Sequence, residues 1–184
     1  RIVPVEADEI GEEDIIPEEE TIITITRDGY IKRVPIDTYR SQRRGGRGVI
    51  GATAKEEDKI QHLFVATTHH YVLFFTDRGR VYRLKAYEVP QTTRQAMGTA
   101  IINLISIEPG DKITAVIPVK DMEQTGFMVM GTELGEVKKT DLTMFHNLRS
   151  NGLRAFDIEE GDSLRWVSIS DGTDEVILVT ARGM

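Results

Sequence analysis

Apolar runs about five residues long, rich in Val, Ile, Thr and Phe, recur along the chain, and each is closed by a glycine-containing turn. Short runs of branched and aromatic residues punctuated by glycine predict strands joined as hairpins rather than helices. Four runs share the ending Thr-x-x-Gly: Ile22 to Gly29, Val72 to Gly79, Met128 to Gly135 and Val176 to Gly183. Their turn glycines lie 50, 56 and 48 residues apart. A second glycine follows in each complete copy, Gly48, Gly98 and Gly152, at 19, 19 and 17 residues after the first. A further apolar strand comes later in each copy, at His62–Ala66, Ile113–Val119 and Leu164–Ile169. The chain is a repeat array with a period near 50 residues.

Several strands per period, in units too small to bury both faces alone, predict an all-β array of antiparallel four-stranded blades, propeller-like in arrangement. Three blades and the opening strand of a fourth, Val176–Thr180, fill residues 21–184. Residues 1–20, with Pro4, Pro17 and nine acids, read as an acidic linker or loosely attached arm. Met97, Met128, Met130, Trp166, Phe127 and Phe156 fall on strand-like runs and are expected in the core. His69-His70 reads as a hairpin turn rather than a metal site, because neighbouring side chains on a strand point to opposite faces.

Charge sharpens the picture. The net charge of −7 on 184 residues divides into −8 over residues 1–20, +7 over residues 21–100 and −6 over residues 101–184. An acidic chain can thus carry a basic surface, which suits a polyanionic partner or a solvated face. No apolar run approaches a membrane span, and the acidic start is not a secretory leader. Without cysteine there is no disulfide, thiolate nucleophile or Cys-ligated zinc, as suits a reducing compartment. A chain that does not begin with Met reads as a piece of a longer protein.

The basic residues concentrate in one place. Before Gly48 the chain reads Tyr39-Arg40-Ser41-Gln42-Arg43-Arg44-Gly45-Gly46-Arg47-Gly48. Glycines Gly45, Gly46 and Gly48 let the backbone bend and present amides to an anion. Arg43, Arg44 and Arg47 add planar forks suited to two-point contact with phosphates, flanked by Arg40 and Gln42. Lys32 and Arg33 would extend this rim. Nothing in the pattern places a helix in a groove, so the expected contact is with nucleic-acid backbone. Lys85, Arg94, Lys138, Lys139 and Arg149 occupy comparable places in later blades and either continue that path or form solvated surface.

The stretch Gln42-Arg43-Arg44-Gly45-Gly46-Arg47-Gly48 resembles the seven-residue box of the C-terminal domain of DNA gyrase A. Asp28-Gly29-Tyr30-Ile31-Lys32-Arg33 is similar to that family's blade-opening motif, and Arg78-Gly79-Arg80-Val81-Tyr82-Arg83 is a looser copy. The resemblance implies a β-pinwheel that wraps double-stranded DNA around a basic rim and presents it to a cleavage core for ATP-dependent negative supercoiling. It implies the rest of gyrase A and the gyrase B protein as partners, a bacterial cytoplasmic, nucleoid-associated setting, and no membrane. The parent enzyme's ATP and Mg2+ would sit elsewhere, leaving this piece with no cofactor, no metal and no catalytic residue. The family usually has about six blades, so this chain would be the N-terminal half with its linker. The alternatives are the topoisomerase IV counterpart, which the intact box argues against, and a protein-binding propeller.

Two other motifs fail on context. Gly46-Arg47-Gly48-Val49-Ile50-Gly51 fits G-x-G-x-x-G, but a basic loop precedes it and Thr68 stands where a ribose-binding acid would be needed. No Walker-type phosphate loop occurs.

Overall fold

Eleven strands and a few short helical turns make up the computed structural model, which describes residues 11–40 and 59–181. The first repeat supplies β1 (Glu20–Thr26), β2 (Tyr30–Pro35) and β3 (Ile60–Thr67), with α2 (Asp37–Arg40) after β2. The second supplies β4 (Tyr71–Thr76), β5 (Arg80–Lys85), the two-residue β6 (Thr99–Ala100) and β7 (Ile113–Val119). The third supplies β8 (Phe127–Thr132), β9 (Val137–Asp141), the two-residue β10 (Leu153–Arg154) and β11 (Leu164–Ser170). Ahead of them lies one helical turn, α1 (Glu12–Ile15).

Each Thr-x-x-Gly turn is built the same way. Gly29, Gly79 and Gly135 donate their amides to Thr26, Thr76 and Thr132 at 3.0, 3.0 and 3.1 Å. The same threonines accept, through their hydroxyls, the amides of Tyr30, Arg80 and Glu136 at 3.2, 3.2 and 3.0 Å. The glycines sit at φ of 83°, 82° and 95°, a region where a Cβ is disfavoured. The recurring sequence is therefore a hydrogen-bonding device: threonine ties the turn from inside and glycine permits its handedness.

The strands form three antiparallel sheets, ordered β3-β1-β2-β6, β10-β5-β4-β7 and β11-β8-β9. The order shows something that the repeat period conceals. β6 follows Gly98 in the second repeat, yet it pairs with β2 of the first, Tyr30 opposite Ala100 and Ile31 opposite Thr99. β10 follows Gly152 in the third repeat and pairs with β5 of the second. Each of the first two blades is completed by a strand from the repeat after it. The third sheet has three strands, one fewer than the four expected of every blade, because no borrowed strand lies beside β9 among the described residues.

The middle blade is covered on both sides, so β4 is buried along its length from Val72 to Thr76. Its alternate residues serve two cores. Val72 and Phe74 pack with Ile23, Ile25, Ile31 and Ile101 against the first sheet. Leu73 and Phe75 pack with Met128, Met130, Phe145 and Leu164 against the third. β7 touches both β3 and β11, so these strands form the edge where the blades converge, and β6, β10 and β9 lie on the opposite perimeter.

Two expectations need correction. Met128, Met130 and Phe156 are core, but Met97 and Trp166 are 61% and 60% exposed. Trp166 follows a register shift in β11 that sets it over Gly131, on the face turned away from the shared core. The run at 176–180 forms no strand, and Val176, Ile177, Leu178 and Val179 are exposed. An apolar run needs a neighbouring strand to complete its hydrogen bonds, and none lies beside it among the described residues. Within the acidic segment, residues 17–19 are held beside the start of the second blade: Thr68 donates from its amide to Glu19 O at 3.0 Å and from its hydroxyl to Pro17 O at 2.8 Å.

Candidate nucleic-acid interface

At the perimeter, the end of each second strand leads into a short helical turn and then into a crossover to the neighbouring blade. After β5 these are residues 86–88 and 89–98; after β9 they are 142–145 and 146–152. In the first repeat α2 occupies the place of the turn. The box is thus the sequence counterpart of these crossovers, each of which ends at a landmark glycine. Arg40 is the last residue of α2, and its side chain lies outside the described residues, as do Gln42, Arg43, Arg44, Gly45, Gly46, Arg47 and Gly48. The helical turn that launches the segment is held by Ile36 N–H to Glu20 O at 3.3 Å and Tyr39 N–H to Ile36 O at 3.0 Å. The Arg94 guanidinium stacks 4.9 Å from the Tyr39 ring centre.

Lys32 and Arg33 hold one of the crossovers in place. The Lys32 ammonium donates to Arg94 O and Ala96 O at 2.6 and 2.9 Å. Arg33 is only 9% exposed; its Nε donates to Val89 O at 2.9 Å and its Nη1 to Gln91 Oε1 at 3.3 Å. Burial holds the Arg33 pKa below its ordinary value, with Glu19 pulling the other way. The second blade repeats the arrangement, with Arg80 Nη2 to Asn151 O at 2.7 Å and Arg83 Nη1 to His146 O at 3.1 Å. Crossover carbonyls that no strand can satisfy are bonded by cations on the strand beneath them. Charge pattern alone could not reveal this, because a staple and a ligand contact draw on the same residue types.

The exposed cations of the perimeter lie further along. Lys138 and Lys139 are exposed on β9, with Arg154 on β10 and Arg149 in the crossover before it. Lys138 donates to Ala155 O at 3.0 Å, and Lys139 sits 4.5 Å from the Phe127 ring centre. Lys85, expected among the same group, is 17% exposed; its ammonium meets Glu13 Oε1 at 3.1 Å and His69 O at 3.0 Å. Among the described residues no group of three or more His, Cys, Asp or Glu could hold a metal ion. No described helix is long and apolar enough to cross a membrane.

Comparison with known proteins bears directly on this arrangement. The family model described as the DNA gyrase C-terminal domain, a β-propeller, matches residues 20–67, 70–120 and 127–171, one segment for each sequence repeat. The DNA gyrase A protein of Clostridium acetobutylicum is 46% identical over 176 residues, 96% of this chain and 21% of that protein. The gyrase A protein of Mycolicibacterium smegmatis is 44% identical over 183 residues, 100% of this chain and 22% of that protein. The chain therefore spans about a fifth of the length of these relatives. Among solved structures, the C-terminal domain of DNA topoisomerase IV superposes with a TM-score of 0.66 at 25% identity, over 86% of this chain and 48% of that one. A DNA gyrase A C-terminal domain superposes with a TM-score of 0.64 at 22% identity, over 83% and 48%. With its repeats matched in turn, the chain belongs to the family of DNA gyrase C-terminal β-propeller domains.

Proposed function

We propose that this domain binds double-stranded DNA through backbone phosphates along its perimeter and, as part of a gyrase A protein, wraps it for ATP-dependent negative supercoiling. The observation that carries the reading is the box Gln42 to Gly48, which falls, in the sequence of the first repeat, at the place taken by the crossover segments of the other two. Arg43, Arg44 and Arg47 act as phosphate clamps, Gly45, Gly46 and Gly48 form the bend, and Arg40 and Gln42 flank them. Exposed Lys138, Lys139, Arg149 and Arg154 carry the path onward. Nothing in this role requires a nucleophile, metal or cofactor within the domain; ATP and Mg2+ act elsewhere in the parent enzyme. Its partners are DNA, the remainder of gyrase A and, through it, the gyrase B protein.

Replacing Arg43, Arg44 and Arg47 by Ala in the complete enzyme tests the reading. Each lost phosphate contact on duplex DNA reduces the slope of log affinity against log salt by ~0.9, so the triple change flattens it by up to ~2.7. Wrapping needs a continuous path, so plasmid supercoiling on agarose gels is expected to disappear while decatenation persists. Supercoiling at the wild-type rate would remove the box from the mechanism. The topoisomerase IV reading draws on the structural likeness to that enzyme's C-terminal domain. A wild-type enzyme that decatenates but never supercoils would favour it.

A further inference from the structure

The acidic segment before β1 lies on a cationic part of the second blade, and two kinds of contact hold it there. Residues 16–19 are bound by backbone. Thr68 accepts Glu19 N–H at 3.1 Å and donates to Pro17 O at 2.8 Å, while His69 Nε2 lies 2.8 Å from Ile16 O. The helical turn α1 is different. It buries no residue, and Ile15 is 73% exposed. The Glu13 carboxylate ties it to the blade, at 3.1 Å from Lys85 Nζ and 3.8 Å from His69 Nδ1.

The seat under Glu13 is an anion site in its own right. The Lys85 ammonium is held by His69 O at 3.0 Å and lies 3.9 Å from the Tyr71 ring centre, with the Arg83 guanidinium 4.9 Å from the same centre. Two cations on one ring, at the outer end of β5, form a rigid positive spot. A carboxylate fills it.

We propose that α1 is an intramolecular substitute for a DNA phosphate: Glu13 occupies a phosphate seat centred on Lys85, and bound DNA displaces the turn by pivoting it at Ile15-Ile16. The proposal rests on the DNA-binding reading above. A partly exposed ion pair is weak and salt-sensitive, so a polyanion making several contacts at once can displace it while residues 16–19 stay in place.

The test is a mutant cycle on the 184-residue chain, read by fluorescence anisotropy with a labelled random-sequence duplex. Glu13→Gln is expected to tighten binding about two- to five-fold near 50 mM salt, with the gain shrinking as salt rises. Glu12→Gln removes the same charge without touching Lys85 and is expected to leave affinity near the wild-type value. In a Lys85→Gln background the Glu13→Gln gain should vanish. Equal gains from Glu12→Gln and Glu13→Gln, or a gain that survives Lys85→Gln, would reduce the effect to net charge and overturn the proposal. So would duplex binding that Glu13→Gln leaves unchanged. If no variant, wild type included, binds duplex, the functional reading fails instead. Circular dichroism melts of all four single and double variants confirm that folding is unchanged.

Discussion

Two glycines with nearly equal positive φ allow the borrowed strand to be weighed in isolation. Gly98 has φ of 93° and Gly110 has φ of 89°. A Cβ at Gly110 meets nothing within 4 Å. A Cβ at Gly98 collides with the Ile31 carbonyl oxygen and comes within 2.9 Å of its carbon. Alanine at either site carries a positive-φ cost of about 1–2 kcal/mol. At Gly98 the obstacle is backbone, so β6 must lift from β2. That loosens the Tyr30–Ala100 and Ile31–Thr99 pairing and the Ile101 N–H bond to Gly29 O, and it draws Ile101 from the core. Hydrogen bonds at about 1 kcal/mol each, with part of an isoleucine's burial of about 1.5–3 kcal/mol, bring the additional loss to about 2–4 kcal/mol. For a domain of this size that is an extra fall in Tm of about 5–15 °C. Urea and thermal unfolding of Gly98→Ala and Gly110→Ala, with amide exchange at Ile101 as the local reporter, provide the measurement. Equal destabilisation of the two variants would refute the docking of β6 on the first blade.

Arg33→Met should lower stability by about 1–3 kcal/mol, because the Val89 carbonyl and Gln91 lose their buried donor. It should leave the salt slope of DNA binding unchanged, whereas a rim contact would flatten it by ~0.9; unfolding and titration on the same samples separate the two. His62 has a pKa lowered by burial, partly offset by its backbone bond to Ile113. The folded state therefore takes up less proton than the unfolded chain, and stability falls as pH drops from the ordinary histidine range toward the folded value. His62→Gln should flatten that fall on the acid side of the ordinary histidine range in chemical denaturation, and a slope identical to wild type would count against the assignment.

What could be read in the sequence was whatever recurs locally. Thr-x-x-Gly carries its own hydrogen bonds within five residues, so three turns and the strands beside them follow from pattern alone. The borrowed strands could not be read this way. Thr99–Ala100 and Leu153–Arg154 are two residues each, too short for any alternation to register, and their partners lie about 70 residues away. Exposure of Trp166 depends on which face of the third sheet the second blade covers, a tertiary matter that residue type does not encode. Lys32 and Arg33 were marked as cationic by sequence, but their carbonyl partners belong to a crossover whose path only the fold defines.

Because β6 completes the first blade and β10 the second, the unit that repeats in sequence and the unit that folds are out of phase. A copy inserted whole at the repeat boundary keeps every seam intact, since each copy brings the strand its predecessor needs and presents an edge to its successor. A cut at the boundary of a blade does the opposite, severing a strand from the sheet it closes. Such an array can lengthen by tandem duplication without redesign of its joints, while its blades cannot be exchanged singly as modules. Successive blades are coupled in the manner of interlocked tiles, and any strain applied along the perimeter passes through backbone hydrogen bonds rather than through side-chain packing alone.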